Sequence, residues 1–326
     1  MASEKPANNP ANNHKQVAFI GEVETAEQNN WIEAINIRSK TFSLVPLASM
    51  SAASIDNTEV AIVANPDPAT LNALPKLKWI QSLWAGVEGI IGSELRQDIS
   101  IVRMTDPQMA ESMAEAALAW SLYLHRKMPQ YKSLQSSKQW QQLSLKLPQE
   151  CNISVFGLGK LGTTAALRLK QNSFTVRGWS NSKKSIAGIE TFNGDSGLKK
   201  ILAKTDIAIL LLPLTSQTNA MFDKSQLSGL PVGASIINFA RGPIIVEADL
   251  IECLNDNHLE HAVLDVFNEE PLPEEHPLWS HPKVTILPHI SAPTTIATAA
   301  DIATQNIDHY YTTGNIPASV DRSRGY

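Results

Sequence analysis

Short apolar runs recur along the chain, separated by amphipathic segments long enough to be helices. In the first third, Gln16–Gly21, Val60–Ala64, Leu77–Leu83 and Ile99–Met104 read as strands with helical material between them. Ala110–Lys127, rich in Ala, Leu and Met, reads as one long apolar helix, and a polar stretch, Gln130–Glu150, follows it. Six further strand signals then come in order: Asn152–Phe156, Thr175–Trp179, Asp206–Leu212, Ala234–Phe239, His261–Phe267 and Val284–Leu287. The gaps between these six hold helix-length segments, apart from a Pro- and Glu-rich loop, Asn268–Pro282, and Ala292–Tyr310 is helical again. Continuous apolar strands joined by helical crossovers predict an α/β protein with doubly wound parallel sheets, because only a sheet covered on both faces buries such runs.

Composition narrows the class. A chain of 326 residues is long for one domain and comfortable for two. The net charge of −5, with no basic block, argues against nucleic acid as a partner. Two cysteines, Cys151 and Cys253, make neither a disulfide framework nor a metal cluster, which fits a reducing cytoplasm and a protein without a metal. The first 15 residues are Asn- and Pro-rich, lack the apolar core of a signal peptide and read as a disordered tail. The longest apolar stretch, Ile207–Leu214, is too short to cross a bilayer, so no membrane association is expected.

Gly157-Leu158-Gly159-Lys160-Leu161-Gly162 lies between the strand Asn152–Phe156 and the helix that opens at Leu161. In that context the first Gly makes the tight turn, the second lets the backbone approach a pyrophosphate and the third lets helix and strand pack closely. The helix N-terminus adds partial positive charge. A sheet that selects NAD carries Asp or Glu about 20 residues further on, accepting the ribose 2′-hydroxyl. Here the next strand ends in Trp179-Ser180-Asn181-Ser182-Lys183-Lys184, so no carboxylate repels a 2′-phosphate and two lysines are at hand to bind one. The reading is NADPH, with NADH possible. Leu212 and Pro213, Ala240 and Asp265, at the ends of later strands, complete the expected cofactor-binding set.

Three charged residues sit just past buried strands: Arg241, Glu270 and His289. The rim outside the carboxyl ends of parallel strands is where ligands bind. His289 is the natural proton carrier near neutral pH, fixed by Pro288 before it, whereas the other seven histidines fall in the tail, in or beside helices, at a strand start or in the Pro-rich loop. Beside it, the Glu270 carboxylate orients the imidazole and favours its charged form. Arg241 offers a fork-shaped donor set for a substrate carboxylate. Asp265, inside an otherwise apolar strand, requires a partner, and the carboxamide of a nicotinamide ring suits it.

Together, Gly157-x-Gly159-x-x-Gly162, Asn238-x-x-Arg241-Gly242, Leu264-Asp265-Val266-Phe267-x-x-Glu270-Pro271 and Pro288-His289 resemble the D-2-hydroxyacid dehydrogenase family over nearly the whole chain. Trp179-Ser180, Ser182-Lys183-Lys184 and the ending Asp321–Tyr326 look most like its NADPH-dependent glyoxylate/hydroxypyruvate reductases. The resemblance implies a Rossmann cofactor domain (113–296) inserted into a discontinuous, flavodoxin-like substrate domain (16–112 and 297–326). It also implies a homodimer joined through the cofactor domains. It assigns Trp84, Ala85, Gly86 and Val87 to a loop whose amides hold the substrate carboxylate, with Arg241 and His289, and Trp140 to a side chain lent to the partner's site. Two positions depart from the pattern: Asn181 stands where that subgroup usually has Arg, and Glu88 where the family often has Asp. The expected reaction is reduction of glyoxylate or hydroxypyruvate. An NAD-linked dehydrogenase of D-lactate or a phosphorylated acid is the alternative, and the lysine-bearing loop weighs against it. Glu270 in place of Gln disfavours formate oxidation, and an ending at Tyr326 without a long regulatory tail disfavours a dinucleotide-sensing corepressor.

Overall fold

Among the described residues twelve strands form two sheets, and every neighbouring pair in both runs parallel. The computed structural model describes residues 15–92 and 94–325. Most of the expected disordered tail, residues 1–14, lies outside that range, and Lys15 already opens the first strand. The chain divides into two compact units, one formed by the described residues up to Asp106 with Thr294–Arg324, the other by Pro107–Pro293 with Gly325.

The first unit holds β1 (Lys15–Gly21), β2 (Phe42–Pro46), β3 (Val60–Ala64), β4 (Trp79–Ser82) and β5 (Ser100–Val102), in the order β2-β1-β3-β4-β5. That is the flavodoxin-like order. Side chains alternate between faces, as strand geometry requires. Val17, Phe19 and Ile62 join one core with Trp31 and Ile35 of helix Thr25–Arg38 and Ala299, Ala303 and Ile307 of helix Ile296–Thr313. Ala18, Ile20, Ala61 and Val63 join the core on the other face. The returning C-terminal helix therefore supplies part of the first unit's interior.

The second unit holds β6 (Asn152–Phe156), β7 (Thr175–Ser180), β8 (Glu190–Asn193), β9 (Ile207–Leu210), β10 (Ala234–Asn238), β11 (Leu259–Leu264) and β12 (Val284–Ile286). Their order, β12-β11-β10-β9-β6-β7-β8, reverses direction between β6 and β9, the switch point at which doubly wound sheets bind ligands. Ala208 and Leu210 face one core while Ile207 and Ile209 face the other. Helix Pro107–His125 packs on helix Lys160–Gln171 through small residues, among them Ala114, Ala117, Ala165 and Ala166. Among the described residues no helix is long and apolar enough to cross a membrane.

The two strands that the hydrophobic pattern does not predict, β2 and β8, are both sheet edges. An edge strand lacks one neighbour and part of its cover, so its sequence need not be apolar on both faces; Glu190-Thr191-Phe192-Asn193 is polar at three of its four positions and has no buried residue. Part of the polar stretch 130–150 is helical as well. Lys127 takes a left-handed backbone (φ 57°) that ends the long helix, and a shorter one, Met128–Ser136, starts with Pro129 in its first turn.

One buried group on β11 makes stability depend on pH. Burial pushes the His261 imidazole down to about 4, and its Nε2 lies 2.9 Å from Thr285 Oγ1. The unfolded chain takes up a proton near pH 6.5 that the folded chain refuses until near pH 4, so stability falls as pH drops through that window. Urea titrations between pH 6.5 and 4 are expected to show this loss, approaching about 3 kcal/mol, and His261→Asn is expected to remove most of it.

Candidate active site

The rim of the second sheet is assembled from the loops after β6, β7, β9, β10, β11 and β12. At the end of β6, Gly157 turns with φ 107°, and a Cβ there would overlap the carbonyl of Leu211. A Cβ on Gly162 would overlap the carbonyl of Gly157, so these two glycines are required by packing. Gly159 differs: its missing Cβ would meet nothing within 4 Å. It caps helix Lys160–Gln171 without a side-chain hydrogen bond, and no acidic residue follows in the first turn. An open backbone face at an uncapped helix N-terminus fits a pyrophosphate. Lys160 is exposed there, while Leu161 packs inward against the core.

At the end of β7, Ser180 is buried and its Oγ donates to Ser182 O at 2.7 Å, folding the loop on itself. Asn181, Ser182, Lys183 and Lys184 are exposed. After β9, Leu212 is buried, and Thr218 ties the loop together: its Oγ1 donates to Pro213 O at 2.6 Å and accepts from Thr215 N at 2.8 Å. Thr218, which the sequence reading passed over, is a structural organiser of that loop.

At the end of β10, the buried Asn238 carboxamide shapes the turn before the arginine. Its Oδ1 accepts from Ala240 N and its Nδ2 donates to Arg241 O, both at 3.0 Å. Arg241 is extended (φ −149°, ψ 147°) and donates from Nη1 to Ala240 O at 2.6 Å. A Cβ on Gly242 would overlap the backbone of Phe267, so this glycine lets the arginine loop lie directly on the segment leading to Glu270. The motif Asn238-x-x-Arg241-Gly242 thus encodes a turn and a close approach as well as a charge.

Glu270 and His289 meet. Glu270 Oε1 accepts from Phe267 N at 2.9 Å, and Oε2 lies 2.7 Å from His289 Nδ1. The carboxylate can only accept, so Nδ1 carries the proton of the pair and Nε2 is the atom left for chemistry. His289 is about half exposed, with side-chain accessibility of 52%. Its backbone is left-handed, with φ 53°, an uncommon state for a non-glycine residue. Asp265 accounts for that conformation. It is buried, and its two carboxylate oxygens accept from Ile290 N at 2.8 Å and Ser291 N at 3.0 Å. Successive amides beyond a left-handed residue form a concave anion site. The partners that a buried Asp265 requires are therefore supplied by the chain itself, where the sequence suggested a nicotinamide carboxamide.

Two further expected site segments are Leu83–Val87 and Trp140. In the first unit, Leu83–Val87 leaves β4 as a turn in which Ser82 Oγ accepts from Trp84 N at 3.0 Å, while Met104 N donates to Trp84 O at 3.0 Å. Trp84 packs edge-on against Trp31. Among the described residues, the amides of Ala85, Gly86 and Val87 find no acceptor. Trp140 lies in a stretch without regular structure and is fully exposed, so within one chain the fold brings it to none of the other named residues.

Comparison with known proteins gives a consistent result. A family model described as D-isomer specific 2-hydroxyacid dehydrogenase, NAD binding domain, matches residues 118–291. A D-isomer specific 2-hydroxyacid dehydrogenase from Xanthobacter autotrophicus Py2, solved with NADPH and MES, is 31% identical over 96% of this chain and 100% of its own, with a TM-score of 0.89. An NADPH-dependent glyoxylate/hydroxypyruvate reductase from Sinorhizobium meliloti, solved with NADP and sulfate, is 29% identical over 96% of this chain and 100% of its own, with a TM-score of 0.86. A probable 2-hydroxyacid dehydrogenase from Rhizobium etli CFN 42, solved with NADP, HEPES and L(+)-tartaric acid, is 30% identical over the same shares, with a TM-score of 0.87.

The Asp265 contact generates a test independent of any activity. Asp265→Asn leaves one acceptor for two amides and sets a donor against the other. Urea denaturation is expected to show a loss of about 1–3 kcal/mol, the cost of an unsatisfied buried group; a loss near zero would remove Asp265 from the support of His289.

Proposed function

The chain belongs to the D-isomer specific 2-hydroxyacid dehydrogenase family, and we propose that it reduces a small 2-oxo acid, glyoxylate or hydroxypyruvate, with NADPH as the hydride donor. The observation that carries this reading is the His289–Glu270 pair at 2.7 Å on a rim whose loop after β7, 180–184, contains no carboxylate. The relatives solved with NADPH or NADP support the choice of cofactor.

When bound, the dinucleotide supplies the hydride that C2 of the oxo acid accepts. We assign its pyrophosphate to Gly157, Gly159, Gly162 and the amides of Lys160 and Leu161, and its 2′-phosphate to Ser180, Asn181, Ser182, Lys183 and Lys184. Leu212, Pro213 and Ala240 would line the dinucleotide, and Asp265 would border its nicotinamide end. His289 donates a proton from Nε2 to the carbonyl oxygen as that oxygen gains charge. The donating ring carries a proton on each nitrogen, and Glu270, accepting from Nδ1–H, keeps its orientation while Nε2 gives its proton up. Arg241 binds the carboxylate and polarises the carbonyl, since a guanidinium can make two charged hydrogen bonds at once. We assign the amides of Ala85, Gly86 and Val87, which find no acceptor among the described residues, to the substrate carboxylate as well.

We assign the working form as a homodimer joined through the second unit. Trp140 is wholly exposed in the single chain, and Leu122, Met128, Leu145 and Leu147 of the same unit are exposed as well. Apolar surface of this kind is commonly covered by a partner, and Trp140 would then reach the other protomer's substrate.

Steady-state oxidation of NADPH by glyoxylate tests the reaction, with turnover expected in the wild type. His289→Ala is expected to lower kcat by at least about 100-fold, the low end for a lost general acid; near-normal turnover would refute the assignment. Arg241→Ala is expected to raise KM for the oxo acid and lower kcat/KM by at least about tenfold, the loss of one charged hydrogen bond. Sedimentation analysis is expected to give a dimer, with Trp140→Ala raising KM while leaving NADPH binding intact.

A further inference from the structure

Asn181 Nδ2 donates to Gln217 Oε1 at 2.8 Å, linking two exposed side chains 36 positions apart. Asn181 follows β7 and Gln217 follows β9. In the sheet order β9-β6-β7, the strand between them is β6, which ends in the glycine loop. The amide–amide bond therefore spans the rim across the end of β6. Both loops are held in shape by their own contacts, Ser180 to Ser182 on one side and Thr218 to Pro213 and Thr215 on the other. Exposed as they are, the two amides contribute nothing to a core; what they share is a position flanking the glycine loop.

The chemistry of the pair is distinctive. Neither loop, 180–184 or 213–218, contains a carboxylate. With one bond made, Gln217 keeps both Nε2 hydrogens as donors, and Asn181 keeps its Oδ1 as an acceptor. A 2′-phosphate takes donors, whereas a 2′-hydroxyl offers a hydrogen and needs an acceptor. A neutral amide pair offers both.

We propose that Gln217, positioned by Asn181, is a specificity-determining residue for the ribose 2′ position. On this inference the pair admits either dinucleotide, and Lys183 and Lys184 add the preference for phosphate. The inference rests on the cofactor placement proposed above and extends it to a residue on a different loop.

Dissociation constants for NADP+ and NAD+, measured by isothermal titration calorimetry on the full chain, provide the test without turnover. Gln217→Glu changes shape little but puts a carboxylate on the rim. NADP+ is expected to bind at least about tenfold more weakly, because like charges now face each other, while NAD+ stays within about threefold. Gln217→Ala, which removes donors without adding charge, is expected to weaken NADP+ by a smaller factor and NAD+ by less. A ratio of the two constants unmoved in Gln217→Glu would overturn the inference, as would an equal loss for both nucleotides, which would mark the pair as a loop brace only. A wild type that binds neither nucleotide would overturn the cofactor placement as well. Normal binding without glyoxylate turnover would refute only the choice of substrate.

Discussion

A buried carboxylate facing two backbone amides holds the backbone turn at His289 in place. Asp265 emerges from the end of β11 with its charge removed from water, a costly arrangement unless every oxygen is satisfied. Ile290 N and Ser291 N satisfy it. Those amides point inward only because His289 adopts a left-handed backbone, so the ion and the turn require one another. Glu270 then acts on the side chain as Asp265 acts on the main chain, accepting from Phe267 N with one oxygen and from His289 Nδ1 with the other. The imidazole is fixed from behind and from beside, with Nε2 left over.

The rest of the architecture serves that placement. In a sheet whose strands all run the same way, every strand ends on the same rim, and six consecutive loops of the second unit can each present something different there. Glycines are used where backbones must nearly touch: Gly157 against Leu211, Gly162 against Gly157 and Gly242 against Phe267. Gly159 differs, with nothing within 4 Å of where its Cβ would be. The core beneath is conventional, with alternate residues of each strand feeding two apolar layers.

Much of this was legible in the sequence, because central parallel strands write an unmistakable apolar signature and because the glycine loop, Arg241, Glu270 and His289 sit at fixed offsets from them. Two of the four edge strands were not legible: β8 is polar at three of its four positions, and β2 offers only five residues in which Phe42 and Leu44 alternate with partly exposed neighbours, whereas the edges β5 and β12 could be read. Asp265 was visible as a charge in an apolar run, but its partners are main-chain groups 25 and 26 residues away, which side-chain identity cannot announce. Asn238 was part of a recognisable motif, yet its work is to hold the turn before Arg241 through both ends of its carboxamide. Gln217 carried no signal at all, since a polar residue in a loop acquires meaning only when the sheet order puts it opposite Asn181. Trp140 illustrates the converse: the family resemblance singles it out, and in this chain it is fully exposed.

The left-handed backbone at His289 also bears on how this protein can change over time. A non-glycine residue in that region costs about 1 kcal/mol or more relative to an ordinary turn. Glycine would relieve the cost but carries no imidazole, and a β-branched replacement would worsen it. With the role proposed for His289, the position sits where selection for thermal robustness and selection for turnover pull in opposite directions. Compensating stability has to accumulate elsewhere, in the two cores and at the helix caps. A better-packed interior would leave room for change in the surrounding loops without relief of the strain at His289.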